Sequence, residues 1–107
     1  MKLEGVAEIL ALRLTAAEKE DSRVLIEDFA LFHAPDWLFD EPKCRKLRHI
    51  NMSHNHITTL PPMVSRWASL GWLNVASCSL TALPEELHDI ALIELDASRN
   101  PFSGRPF

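Results

Sequence analysis

Residues 47–61 read LRHINMSHNHITTLP, and the same arrangement returns at residues 70–84 as LGWLNVASCSLTALP. In the first copy the apolar or special positions are Leu47, Ile50, Met52, Asn55, Ile57 and Leu60-Pro61. In the second they are Leu70, Leu73, Val75, Cys78, Leu80 and Leu83-Pro84, at the same offsets from the leading leucine. A third copy begins with Leu92, Leu95, Ala97, Asn100 and Phe102. The step is 23 residues from Leu47 to Leu70 and 22 from Leu70 to Leu92, and self-similarity at such a period is the signature of stacked supersecondary units. A degenerate copy precedes these: counted from Asp21, the residues Val24, Ile26, Phe29, Leu31, Ala34-Pro35 and Leu38 fall on the same offsets, with Phe29 in the asparagine place.

Inside each copy the alternation around 50–52, 73–75 and 95–97 is that of a strand, so these residues point inward while their neighbours face out. Such strands, one per unit, stack as a parallel sheet. Asn55 and Asn100 fall where the chain turns away from its strand, and an inward amide there satisfies backbone groups that the sheet leaves unpaired. Cys78 takes that place in the middle copy, where a thiol tolerates burial well. The Leu-Pro pairs at 60–61 and 83–84 open a return segment in which Val64 with Trp67, and Leu87 with Ile90, lie three apart as on a helical turn.

The pattern LxxLxLxxNxLxxLP resembles the leucine-rich-repeat family, strongly over Leu47–Phe102 and more weakly over 21–46. The resemblance implies an α/β solenoid: a short stack with its parallel sheet on the concave face. Its units would be a degenerate 21–46, then 47–69, 70–91 and a partial 92–107. It also implies a non-catalytic module that recognises another protein through the concave face, as an adaptor or a structural subunit of a larger assembly. Ahead of the repeats, Leu3, Val6, Leu10, Leu14 and Ala17 form one helical stripe, so residues 1–20 are expected to be a helix capping the first strand.

Bulk composition narrows the function classes. At 107 residues the chain has room for one domain, and its net charge of −4 gives no general attraction to phosphate or acidic membranes. Apolar runs are broken by charge well short of a membrane span and the N-terminus lacks a signal-peptide pattern, so an intracellular, most simply cytoplasmic, protein is expected. Two cysteines, Cys44 and Cys78, do not make a disulfide framework or a paired zinc motif.

His49, His54 and His56 crowd into eight residues, but on a strand-to-turn path they fan out, and a tetrahedral metal needs ligand nitrogens within about 2.1 Å. Solvated or partner-facing histidines are the favoured reading, with no metal and no cofactor. Cys44 has His49 nearby in sequence but on another segment of the unit, which argues against a nucleophile–base pair. Asp36, Asp40 and Glu41, in APDWLFDEP, read as an exposed Pro-bounded turn rather than a carboxylate pair. No glycine-rich phosphate loop is present, so no enzymatic activity is expected.

Two surfaces remain. On the outward strand positions, Arg23, His49, Trp72 and Glu94 form one row and Leu25, Asn51, Asn74 and Asp96 the next; aromatic and arginine side chains at the centre of such a face are typical anchors for a protein partner. The second surface is KCRKLR at 43–48, read first as a solvated loop; its Lys43, Arg45, Lys46 and Arg48 also give an alternative reading as an RNA-contacting ribonucleoprotein subunit, or a contact for an acidic partner. The third strand is followed only by SRNPFSGRPF, so the end bearing Phe102 and Phe107 is expected to dock on a neighbouring subunit or copy.

Overall fold

The structure is a computed structural model that describes residues 22–102. The expected capping helix at 1–20, and Phe107, lie outside the described residues. Four short strands, β1 (Arg23–Leu25), β2 (His49–Asn51), β3 (Trp72–Asn74) and β4 (Glu94–Asp96), form one parallel sheet in chain order. The register is the sequence repeat itself: Arg23, His49, Trp72 and Glu94 pair across successive strands, as do Val24, Ile50, Leu73 and Leu95. Parallel neighbours need a long crossover, and each unit supplies one by leaving its strand, turning, and returning along the opposite side.

The turn is built the same way in every unit. Three residues past the end of the strand, the chain takes a left-handed conformation at Asp28, His54, Ser77 and Arg99, with φ of 58°, 56°, 53° and 57°. Just before it, a side-chain oxygen of the last strand residue accepts from the backbone N–H two residues on. The pairs are Asn51 with Ser53 (3.0 Å), Asn74 with Ala76 (3.0 Å) and Asp96 with Ser98 (3.1 Å). These are Asx turns, which favour Asn and Asp for this reason. The sequence reading had Asn51, Asn74 and Asp96 as simple outward-facing positions; they also shape the exit from the sheet.

The return segments are 3₁₀ helices: Asp36–Phe39, Lys43–Lys46, Pro62–Arg66 and Glu85–Asp89. No α-helix occurs among the described residues, so the helical side is tighter than an α/β stack suggests. A 3₁₀ turn rises about 2.0 Å per residue against 1.5 Å in an α-helix, so it spans the return with fewer residues of a short repeat. Two expectations change here. The 36–41 segment is no simple exposed turn, because it buries Leu38 and Phe39 even though Asp36, Asp40 and Glu41 are exposed. The basic stretch is no loop either, but a helical turn anchored by buried Cys44 and followed by buried Leu47.

Between sheet and return lies one core. Val24, Ile50 and Leu73 come from the strands, Ile26, Met52 and Val75 follow them, and Ile57, Leu80, Val64 and Trp67 close the far side. Trp67 is fully buried, its indole N–H donates to the Leu38 carbonyl at 2.9 Å, and its ring stacks on Phe39 with centroids 5.1 Å apart. The last unit is less covered: Leu92, Leu95, Ala97 and Phe102 are only half-buried and Ile93 is 72% exposed, whereas Leu73 and Leu80 in the unit before are at 2% or less.

Candidate functional site: the outward face of the sheet

Residues on an extended strand alternate between faces, so three-residue strands each put one residue into the core and two outward. The register therefore sets Arg23, His49, Trp72 and Glu94 in one row across the sheet, and Leu25, Asn51, Asn74 and Asp96 in a parallel one. Trp72, on an inner strand, is 40% exposed, and Leu25, on the first strand of the sheet, 39%. His49 leans against Trp72, with ring centroids 6.5 Å apart and planes tilted by 31°. Both belong to one row, so this contact joins neighbouring strands.

Around Trp72 the surface dips into a shallow cavity of about 150 Å³ lined by His49, Trp72, Leu73, Asn74, Glu94 and Asp96. It is far smaller than the roughly 300–1,000 Å³ that encloses a drug-sized ligand, so it suits one side chain of a larger partner. Its rim is negative on the β4 side. Asp96 accepts from the Ser98 hydroxyl at 2.7 Å and from the Ser98 N–H, and these bonds hold its carboxyl below the usual carboxylate range, aided by Arg99.

The histidines go separate ways. His49 lies on the sheet, His54 occupies the left-handed turn, and exposed His56 stacks on exposed Phe32 with centroids 5.4 Å apart. Among the described residues no three His, Cys, Asp or Glu side chains converge as metal ligands would. Cys44 is buried, and its thiol points to the Arg66 carbonyl at 3.7 Å. Burial pushes its pKa up, reinforced by Glu41 and opposed by Arg45 and Arg66, the reverse of what activates a nucleophile.

Lys43, Arg45, Lys46 and Arg48 are all exposed. The structure ties one of them up: Arg45 pairs with Glu41 at 2.7 Å, one turn back. Sequence reasoning passed over a second surface, an open depression on the Glu85–Asp89 helical turn lined by Glu85, Glu86, His88 and Asp89. The run EELHD was the signal for it.

The geometry that recurs between units centres on the turn amide. Asn55 is buried; its Oδ1 accepts from the N–H groups of Phe29 and Leu31, and its Nδ2 donates to the carbonyls of Ile26, Met52 and Ser53. Asn100 repeats every bond two units later: its Oδ1 accepts from the N–H groups of Cys78 and Leu80, and its Nδ2 donates to the carbonyls of Val75, Ala97 and Ser98. Residues 46–67, which contain Asn55, match the model of the Leucine Rich Repeat family. Residues 46–67 are a leucine-rich repeat. No curated protein matches the chain. Leucine-rich repeats commonly mediate protein–protein interaction and are typically non-catalytic. No helix among the described residues is long and apolar enough to cross a membrane.

Proposed function

We propose that this chain is a non-catalytic adaptor or structural subunit that holds another protein on the concave face of its leucine-rich-repeat sheet. The observation that carries the reading is the in-register row Arg23–His49–Trp72–Glu94, with an exposed indole on an inner strand. A rigid aromatic group on a flat, hydrogen-bonded sheet loses little entropy on binding and can bury a large area, which is how interface anchors work. The half-buried apolar groups of the last unit support a second contact, in which that end docks on a neighbouring subunit or another copy.

The test is affinity purification with mass spectrometry, repeated with variants of each face. Trp72→Ala is expected to weaken partner binding by more than about 1 kcal/mol with the fold intact. Changes at exposed Met63 and Glu85, on the return side, are expected to leave binding unchanged. Binding that survives Trp72→Ala and is lost with Met63→Ala and Glu85→Ala would overturn the reading.

A further inference from the structure

We propose that the cavity beside Trp72 takes an arginine side chain of the partner protein, its guanidinium lying on the indole face and against the Glu94 and Asp96 carboxylates. The inference rests on the reading of the sheet face as the partner surface and specifies what that surface recognises. Three observations carry it. The cavity is floored by Leu73 and walled by an exposed indole, so it accepts a flat or aliphatic group of one side chain. Its other wall is anionic: Glu94 pairs across the strand with Trp72, Asp96 pairs with Asn74, and both acids line the cavity together with the indole. Among the described residues the salt bridge is Arg45–Glu41, on the return side, so neither carboxylate forms an ion pair with a described residue.

The Ser98 bonds both converge on Oδ1 of Asp96, leaving Oδ2 to accept a hydrogen bond from outside. Arg23, the cation in the same row, stands two strands from Trp72. An anionic or purely apolar group would meet Glu94 and the free Oδ2 of Asp96 here, with Arg99 the cation acting on Asp96. A guanidinium instead satisfies both walls, since it stacks on aromatic faces and forks onto carboxylates, whereas a lysine ammonium offers only a point charge.

The inference is tested on the full chain by NMR, following the Trp72 indole and Asn74 amide signals while titrating acetylated, amidated pentapeptides Gly-Gly-X-Gly-Gly. X is arginine, lysine, neutral citrulline or glutamate. The expected result is a saturable shift at Trp72 and Asn74 with arginine, roughly tenfold weaker with citrulline, as a cation–π contact plus an exposed ion pair gives. The preference is expected to disappear in Glu94→Gln/Asp96→Asn, with the Trp67 indole signal unchanged as a control for folding. Equal shifts with arginine and citrulline, or a stronger response to glutamate, overturn the arginine assignment but leave the face as a binding surface. Lysine binding as well as arginine overturns the guanidinium and retains a general cation site. No shift on the face with any peptide overturns the arginine site, and the Trp72→Ala binding assay then decides separately whether the face binds protein at all.

Discussion

Two asparagines four residues apart have different tasks. Asn51 accepts from Ser53 alone, through N–H and hydroxyl, at the half-exposed end of a strand. Asn55 satisfies five backbone groups, two of them N–H donors of the preceding unit, in a site 2% exposed. Orphaning buried groups costs about 1–3 kcal/mol each at most, so Asn55→Ala is expected to destabilise by at least about 2 kcal/mol and Asn51→Ala by about 1 kcal/mol or less. Urea unfolding of the two variants checks the order, and equal midpoints would contradict it. Cys78 does the same work with one atom: its thiol donates to the Met52 carbonyl at 3.2 Å. Burial raises its pKa, against the opposing N–H groups of Asn55 and Ile57, and burial likewise raises that of Cys44. The folded thiols therefore keep their protons above the ordinary value of 9.0, while the unfolded chain releases them there. Stability is then expected to be fully present below about pH 9 and to fall as pH rises beyond it, because the unfolded state binds fewer protons. Denaturant midpoints between pH 8 and pH 10.5, compared with a Cys44→Ala/Cys78→Ala chain, measure the difference; parallel curves would contradict the shift.

Among the elements, the return segments do more than close the loop. The tryptophan that ends the Pro62–Arg66 turn reaches back to the unit before it, bonding Leu38 and stacking on Phe39, while Arg66 Nη1 bonds the Phe39 carbonyl at 3.2 Å. That couples the regular repeat to the degenerate one on the side opposite the sheet. Trp67→Ala is expected to cost about 3–5 kcal/mol from cavity and transfer terms. Trp67→Phe, which keeps the ring but orphans the Leu38 carbonyl, is expected to cost about 1–3 kcal/mol. Trp72→Ala, on the exposed face, is expected to change stability by less than about 1 kcal/mol. Thermal unfolding of the three variants checks this ranking. Equal losses at Trp67 and Trp72 would mean that the sheet face is covered in solution.

At the scale of the whole molecule, the sheet is extended one strand at a time, and every unit depends on the next for hydrogen bonds. Ile26, Met52 and Val75 each donate to a carbonyl of the following strand, and the ladder amide of each asparagine serves the unit before it. β4 is the last strand among the described residues, and in its unit Leu95 and Phe102 keep surface that Leu73 and Leu80 have buried, with Ile93 exposed beside them. Fully burying such a side chain contributes roughly 1.5–3 kcal/mol, the driving force for the docking proposed at this end. Light scattering is expected to give a mass above that of one chain at high concentration, and Ile93→Glu is expected to return it to a monomer. A monodisperse monomer with slow hydrogen exchange over 92–102 would instead mean that the end is covered within the chain.

The sequence by itself determined the repeat, its register and which residues point inward, because a parallel stack of identical units forces chemically equivalent side chains into equivalent places. Asn55, Asn100 and Cys78 were legible as inward turn groups for that reason, and so was the outward row through Trp72. Spacing alone did not reveal contacts that depend on how far one unit stands from the next. The 3₁₀ form of the returns, the burial of Leu38 and Phe39 in a segment flanked by prolines and acids, and the reach of Trp67 back to Leu38 are all set by the width of the stack. The Asx turns at Asn51, Asn74 and Asp96 were hidden because an outward strand residue and a residue folded onto its own backbone have the same place in the pattern. The cavity beside Trp72 also belongs to the tertiary structure: its indole comes from one unit and its carboxylates from the next, and only the pairing of β3 with β4 sets them side by side.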